Sequence, residues 1–142
     1  MNGALTSAGP LSRLAGVPPA MLARRVLQVD AVVTGLNGLT YIAAAEALDD
    51  VLGVPAGFLR GIGAFLTVFG LVAWAVAAAG RPHRVAVLTI AVANGAWVLA
   101  SLVLVAAGWH DPTTGGTVWT LLQAATVGGF AAAQAWAARR LV

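Results

Sequence analysis

Four long apolar stretches, each interrupted at helical spacing by a few polar residues, make up most of the chain: 26–48, 56–79, 84–108 and 116–138. A helix that crosses a bilayer needs about 20 consecutive, mostly apolar residues, and each stretch meets that length. The pattern predicts four transmembrane helices. The links at 49–55, 80–83 and 109–115 are short, so consecutive helices are expected to be antiparallel neighbours, with no room for a soluble domain. The expected fold class is therefore an all-α membrane protein, a four-transmembrane-helix antiparallel bundle occupying 21–142 as one domain. A flexible cytoplasmic N-terminal tail at 1–20, rich in Gly, Ser, Ala and Pro, precedes it. Within that tail Pro19 is a natural first helical residue, because the N–H it lacks has no partner at that position anyway.

Composition points the same way. The chain has 142 residues, 60% hydrophobic and 9% charged, against about 25% charged in ordinary soluble domains. All the basic residues are arginines scattered between apolar runs. They form no dense cationic face, so nucleic acid is excluded as the main partner. With 0 Cys, disulfides, thiolate metal sites and cysteine nucleophiles are excluded too. Across four spans Arg13, Arg24, Arg25, Arg81, Arg84, Arg139 and Arg140 fall on one side, and Glu46, Asp49, Asp50 and Asp111 on the other. Cytoplasmic flanks carry the positive charge, which places both termini in the cytoplasm and the protein in the plasma (inner) membrane. Trp109 and Trp119 near one surface, with Trp74 and Trp136 near the other, suit interfacial aromatic belts; Trp97 lies mid-span.

The polar residues inside the spans form stripes. Asp30, Thr34, Asn37 and Tyr41 share a narrow sector of the first helix, at about 100° per residue. Arg60, Thr67 and Trp74 share a face of the second, Asn94, Trp97 and Ser101 of the third, and Trp119, Gln123, Thr126 and Gln134 of the fourth. Polar groups facing lipid are costly, so the stripes should converge inside the bundle. Matching depths places Tyr41, Gly63, Ser101 and Gln123 in an outer layer, and Asn37, Thr67, Trp97 and Val127 in a middle one. Asp30 falls deeper, level with Trp74, Ile90 and Gln134. Thr34, Thr67, Ser101 and Thr126 are expected to serve mainly as hydrogen-bonding glue between helices. Arg60 is expected to pair with Glu46 at the outer rim. For Asp30 two accounts stay open, an ion pair with Arg84 or Arg139 and a carboxylate that binds a proton or a ligand.

Asn37-Gly38 aligns with Asn94-Gly95, and Thr67-Val68 before Gly70 with Thr126-Val127 before Gly129, which is the pattern of two duplicated helical hairpins. Shared membrane composition is the competing explanation. The abundant glycines, among them Gly57, Gly61 and Gly63, permit close helix contact, and a homo-oligomer, most simply a dimer, is expected.

His83 and His110 lie at opposite membrane faces, and neither belongs to a ligand spacing, so no metal is expected. No phosphate loop, no Ser-His-Asp set and no second interior carboxylate occurs. With no His inside a span, haem and other cofactors are not expected, nor is enzymatic activity.

The stretch from Asp30 to Gly70, with Val32-Val33-Thr34-Gly35-Leu36-Asn37-Gly38-Leu39 and then Leu59-Arg60-Gly61-Ile62-Gly63, resembles small four-helix actinobacterial integral membrane proteins, loosely DoxX-like. Gly35-Leu36-Asn37 also gives a thinner similarity to GtrA-like proteins, which implies handling of lipid carriers in the manner of a flippase. The aromatic and Asn-Arg pattern that family carries at the end of its second span is absent here, where Trp74 is followed mostly by alanines up to Gly80. The reading that follows is a small integral membrane protein that binds or moves a small or amphiphilic molecule in a polar-lined interior. Its candidate lining is Asp30, Thr34, Asn37, Tyr41, Arg60, Asn94, Trp97 and Gln123. Besides that molecule its partners would be membrane lipid and further copies of itself. A structural or accessory subunit with no ligand is the alternative.

Overall fold

A computed structural model describes residues 16–142. The N-terminal tail expected at 1–20 lies largely outside these residues. The described part is all-helical, with five helices: α1 Pro19–Ala43, α2 Ala45–Leu52, α3 Ala56–Ala78, α4 Arg84–Ala106 and α5 Thr114–Ala138. Helix α1 starts at Pro19, as the missing N–H predicts.

The first expected span, 26–48, is not one helix. It breaks at Ala44 (φ −115°, ψ 22°), and α2 follows as a separate amphipathic turn. No Gly or Pro stands at the break, so its cause is tertiary. Once turned, α2 buries Ala45 and Leu52 while Glu46 and Asp50 face outward. Asp49 Oδ2 then accepts from the backbone N–H of Ala56 at 3.0 Å and satisfies the N-terminus of α3. The same turn ties the outer loops together, because Leu52 O accepts from Thr113 N at 3.0 Å and Val51 O accepts from Thr113 Oγ1 at 2.7 Å.

Helices α1, α3 and α4 are long and apolar enough to cross a membrane. Helix α5 has 25 residues but more Thr and Gln, and falls short on apolarity. The surface is that of a protein in lipid: Leu36, Val68, Leu71, Val92 and Leu99 are all at least 60% exposed, whereas Asp30 and Gln134 are fully buried.

Packing departs from simple neighbour order. Helix α1 lies closest to α3, α4 to α5, and α1 also meets α5, but α3 and α4 scarcely approach although a short link joins them. The expectation that all consecutive helices are neighbours fails at this pair. Bulky rings stand between the two backbones: Phe65 of α3 and Trp97 of α4 stack at 5.7 Å with 9° between their planes, and Phe69 follows Phe65 at 6.2 Å. The α1–α3 contact is the opposite case. A Cβ added at Gly38 would stand 2.7 Å from Gly63 O and Thr67 N, so only glycine permits this approach.

The core has two parts. On the arginine-bearing side Ala23, Leu27, Ala73, Val87 and Ala137 close the bundle; toward the other side Tyr41, Ala45, Leu52, Leu59 and Leu66 form a looser cluster beneath α2.

Candidate functional site

Between these two cores the polar stripes meet. Asp30 is completely buried and carries three hydrogen bonds. Its Oδ1 accepts from Thr34 Oγ1 at 2.8 Å, and its Oδ2 accepts from Asn94 Nδ2 at 2.7 Å and Gln134 Nε2 at 2.6 Å. Asn94 Nδ2 also donates to Gln134 Oε1 at 3.0 Å, closing a ring of side chains from α1, α4 and α5. The partner of Asp30 is therefore this amide pair and not Arg84 or Arg139; among the described residues the ion pair is Arg60–Glu46. Charge-free donors suit a site inside a bilayer, since a guanidinium drawn this deep would have to leave the headgroup zone.

Two to three turns further out lies a second network. Asn37 Nδ2 donates to Gln123 Oε1 at 2.9 Å, and Tyr41 Oη takes hydrogen bonds from Gln123 Nε2 and from Trp119 Nε1, the latter at 2.8 Å. Thr34, Thr67, Ser101 and Thr126 do not join helices: Thr34 donates to Asp30 of its own helix. The other three each donate to the carbonyl one turn back in their own helix, at 2.8 to 2.9 Å, which corrects the expected role of all four as interhelical glue.

Two cavities adjoin these networks. The inner one, about 180 Å³, is lined by Thr34, Asn37 and Asn94 together with Phe65, Leu66, Phe69 and Val127. The outer one, about 260 Å³, lies below the α2–α3 and α4–α5 connections and is lined by Tyr41, Ser101 and Thr120 with Phe58, Ile62, Leu104 and Trp109. Trp97, Trp119 and Gln123 line both and form the wall they share. Either volume far exceeds the roughly 10–15 Å³ a single water requires.

Seven of the eight candidate residues thus gather around this interior. Thr34, Asn37, Asn94, Trp97 and Gln123 face the inner cavity, Tyr41 faces the outer one, and Asp30 lies behind Thr34 and Asn94 without reaching the wall. Arg60 does not belong. It stands 47% exposed on the outer rim, paired with Glu46 and outside both cavities. Its hydrogen bond holds the Glu46 carboxyl below its ordinary value of 4.5.

Gln134 and Trp119 were the omissions. Gln134 stands eleven residues after Gln123, three helical turns along the same face of α5, and that spacing was the available signal. Trp119 suits an interfacial belt and is 41% exposed, yet its indole N–H turns inward to Tyr41. No protein-family model matches the chain, and neither a curated protein nor a solved structure is similar to it.

Proposed function

We propose that this chain is a four-span plasma-membrane protein that holds a small amphiphilic molecule inside its bundle. The observation that carries this reading is the pair of adjoining cavities on which uncharged polar groups of α1, α4 and α5 converge, while α3 closes the remaining side with Phe58, Ile62, Phe65 and Phe69. Helix α5 is the fourth span in this reading: its 25 residues reach about 37 Å, more than the roughly 30 Å of a bilayer core, and its two glutamines point inward. Both termini then lie on the arginine-bearing, cytoplasmic side.

The interior is a pocket with one closed end. The Asp30 ring and the packed Ala23–Leu27–Ala73–Val87 core seal the cytoplasmic side, so the arrangement suits holding a molecule that arrives from the opposite side or through the loose α3–α4 seam. Helix α3 also turns Gly57 and Gly61 outward with nothing within 4 Å, a face that a second copy can approach closely; a homodimer is the assembly we propose. Native mass spectrometry of the protein released from mild detergent tests both points. A retained non-protein mass on a dimer is expected, and Ala93→Phe, which fills the inner cavity, should lose that mass without loss of fold. Wild-type protein that carries nothing in several detergents would sink the ligand-binding reading and favour a structural subunit.

A further inference from the structure

The outer cavity is walled by aromatic rings. Tyr41, Phe58, Trp97, Trp109 and Trp119 line it, from α1, α3, α4, the α4–α5 connection and α5. These are five of the ten Phe, Trp and Tyr residues in the chain. His110 completes the wall, its ring 5.0 Å from Phe58 and 5.4 Å from Trp109. His110 and the next residue, Asp111, hold left-handed backbone conformations, φ 67° and 48°. His and Asp are among the few residues other than glycine that adopt this conformation readily, and here it turns the connection so that His110 meets Phe58.

Charge narrows the choice of ligand. Among the described residues no Arg, Asp or Glu lines either cavity and His110 is the one basic side chain in the walls, so an anion would leave its water and find no permanent positive charge. The outer rim carries Glu46, Asp49, Asp50 and Asp111 against Arg60 alone, and Arg60 is already bound to Glu46. The arginines of the opposite face repel a cation from that side. A metal ion would lose its hydration shell and gain few oxygen ligands in exchange. A weakly hydrated organic cation loses little, and aromatic faces attract it through their quadrupoles.

We propose that the outer cavity binds an organic cation, a quaternary ammonium or related onium group on an apolar body. The head sits among Phe58, Trp109 and Trp119, and the body passes Trp97 into the inner cavity. This rests on the ligand-binding reading above and adds the sign of the ligand's charge.

The test is equilibrium dialysis of the full chain in nanodiscs of zwitterionic lipid, with three radiolabelled probes of similar size: benzyltrimethylammonium, neutral N,N-dimethylbenzamide and anionic phenylmethanesulfonate. The ammonium is expected to bind about tenfold more tightly than either of the others. Trp109→Leu should weaken it by about two- to thirtyfold, whereas Trp136→Leu, outside both cavities, should not. Because Trp109 donates no side-chain hydrogen bond, its variant should melt with wild type, which keeps the result readable even if Trp119→Leu misfolds. The double variant Asp50→Asn, Asp111→Asn should weaken the ammonium at low ionic strength, and the loss should fade as salt is added. Equal binding of all three probes, or preference for the amide or sulfonate, overturns the cation inference and leaves the ligand-binding reading standing. Equal losses in Trp109→Leu and Trp136→Leu overturn it as well. Binding of none of the probes, in protein that also retains no co-purified mass, overturns both.

Discussion

Replacing Asn94 by Leu, a side chain of nearly the same size, removes two hydrogen bonds from the most buried part of the protein. Asp30 Oδ2 loses one of its two donors, and Gln134 Oε1 loses its donor. Interhelical hydrogen bonds in membrane proteins contribute about 0.6 kcal/mol on average and at most about 1.7 kcal/mol, because the separated helices find other partners. Asp30 keeps Gln134 Nε2 and Thr34 Oγ1, but Gln134 is 0% exposed and its Oε1 is left with no donor, so the cost of an unsatisfied acceptor, about 1–3 kcal/mol, adds to the lost bonds. Asn94→Leu should therefore destabilise by about 2–4 kcal/mol. Asn37→Leu, which breaks a single bond beside an open cavity, should cost under about 1 kcal/mol. Steric trapping in bicelles measures both. Substituting Asp30, Asn94 and Gln134 by Leu together should recover much of the loss, since the only buried polar side chain of the ring then left is Thr34, whose hydroxyl can turn to the carbonyl one turn back as Thr67 does. If Asn94→Leu costs no more than Asn37→Leu, or if the triple variant is worse than Asn94→Leu alone, the account of Asp30 as a carboxyl group held by α4 and α5 is wrong.

Gly38→Ala would force a Cβ to 2.7 Å from the α3 backbone and should destabilise by about 1–3 kcal/mol in thermal melts. Gly95→Ala meets nothing within 4 Å and should be neutral or stabilising by up to about 1 kcal/mol; equal effects at the two sites would refute the close-packed α1–α3 seam. Because Arg60 depresses the Glu46 carboxyl, the small stabilisation from this exposed pair is fully present above the ordinary glutamate value of 4.5 and is lost as pH falls through the lower folded-state value. Melting curves of Arg60→Gln should lack that acid-side component, and an unchanged pH profile would count against the pair. For topology, cysteines introduced at Asp50 and Thr113 should react with an impermeant maleimide from outside intact cells and one at His83 should not; labelling at His83 would refute the four-span arrangement.

Helical periodicity alone already placed Asp30, Thr34, Asn37 and Tyr41 on one inward stripe. Depth matching through short loops already put Gln134 level with Asp30 and Gln123 level with Tyr41, pairs that prove to be hydrogen-bonded. The Arg60–Glu46 pair was legible for the same reason, since both residues flank one short turn. Periodicity and depth are properties of one helix at a time, and they carry no information about how far apart two helices stand. Only the tertiary structure decided that α3 and α4 are wedged apart by Phe65 and Trp97 while α1 and α3 touch through Gly38, and that spacing is what makes a cavity. It also chose Asn94 and Gln134 over any arginine as partners of Asp30, because short neutral donors on facing helices reach a buried carboxyl group without drawing a second charge out of water. The break at Ala44 belongs to the same class. An alanine-rich segment with every local reason to continue as a helix turns instead, because α2 gains burial of Leu52 and satisfies the first turn of α3 only by doing so.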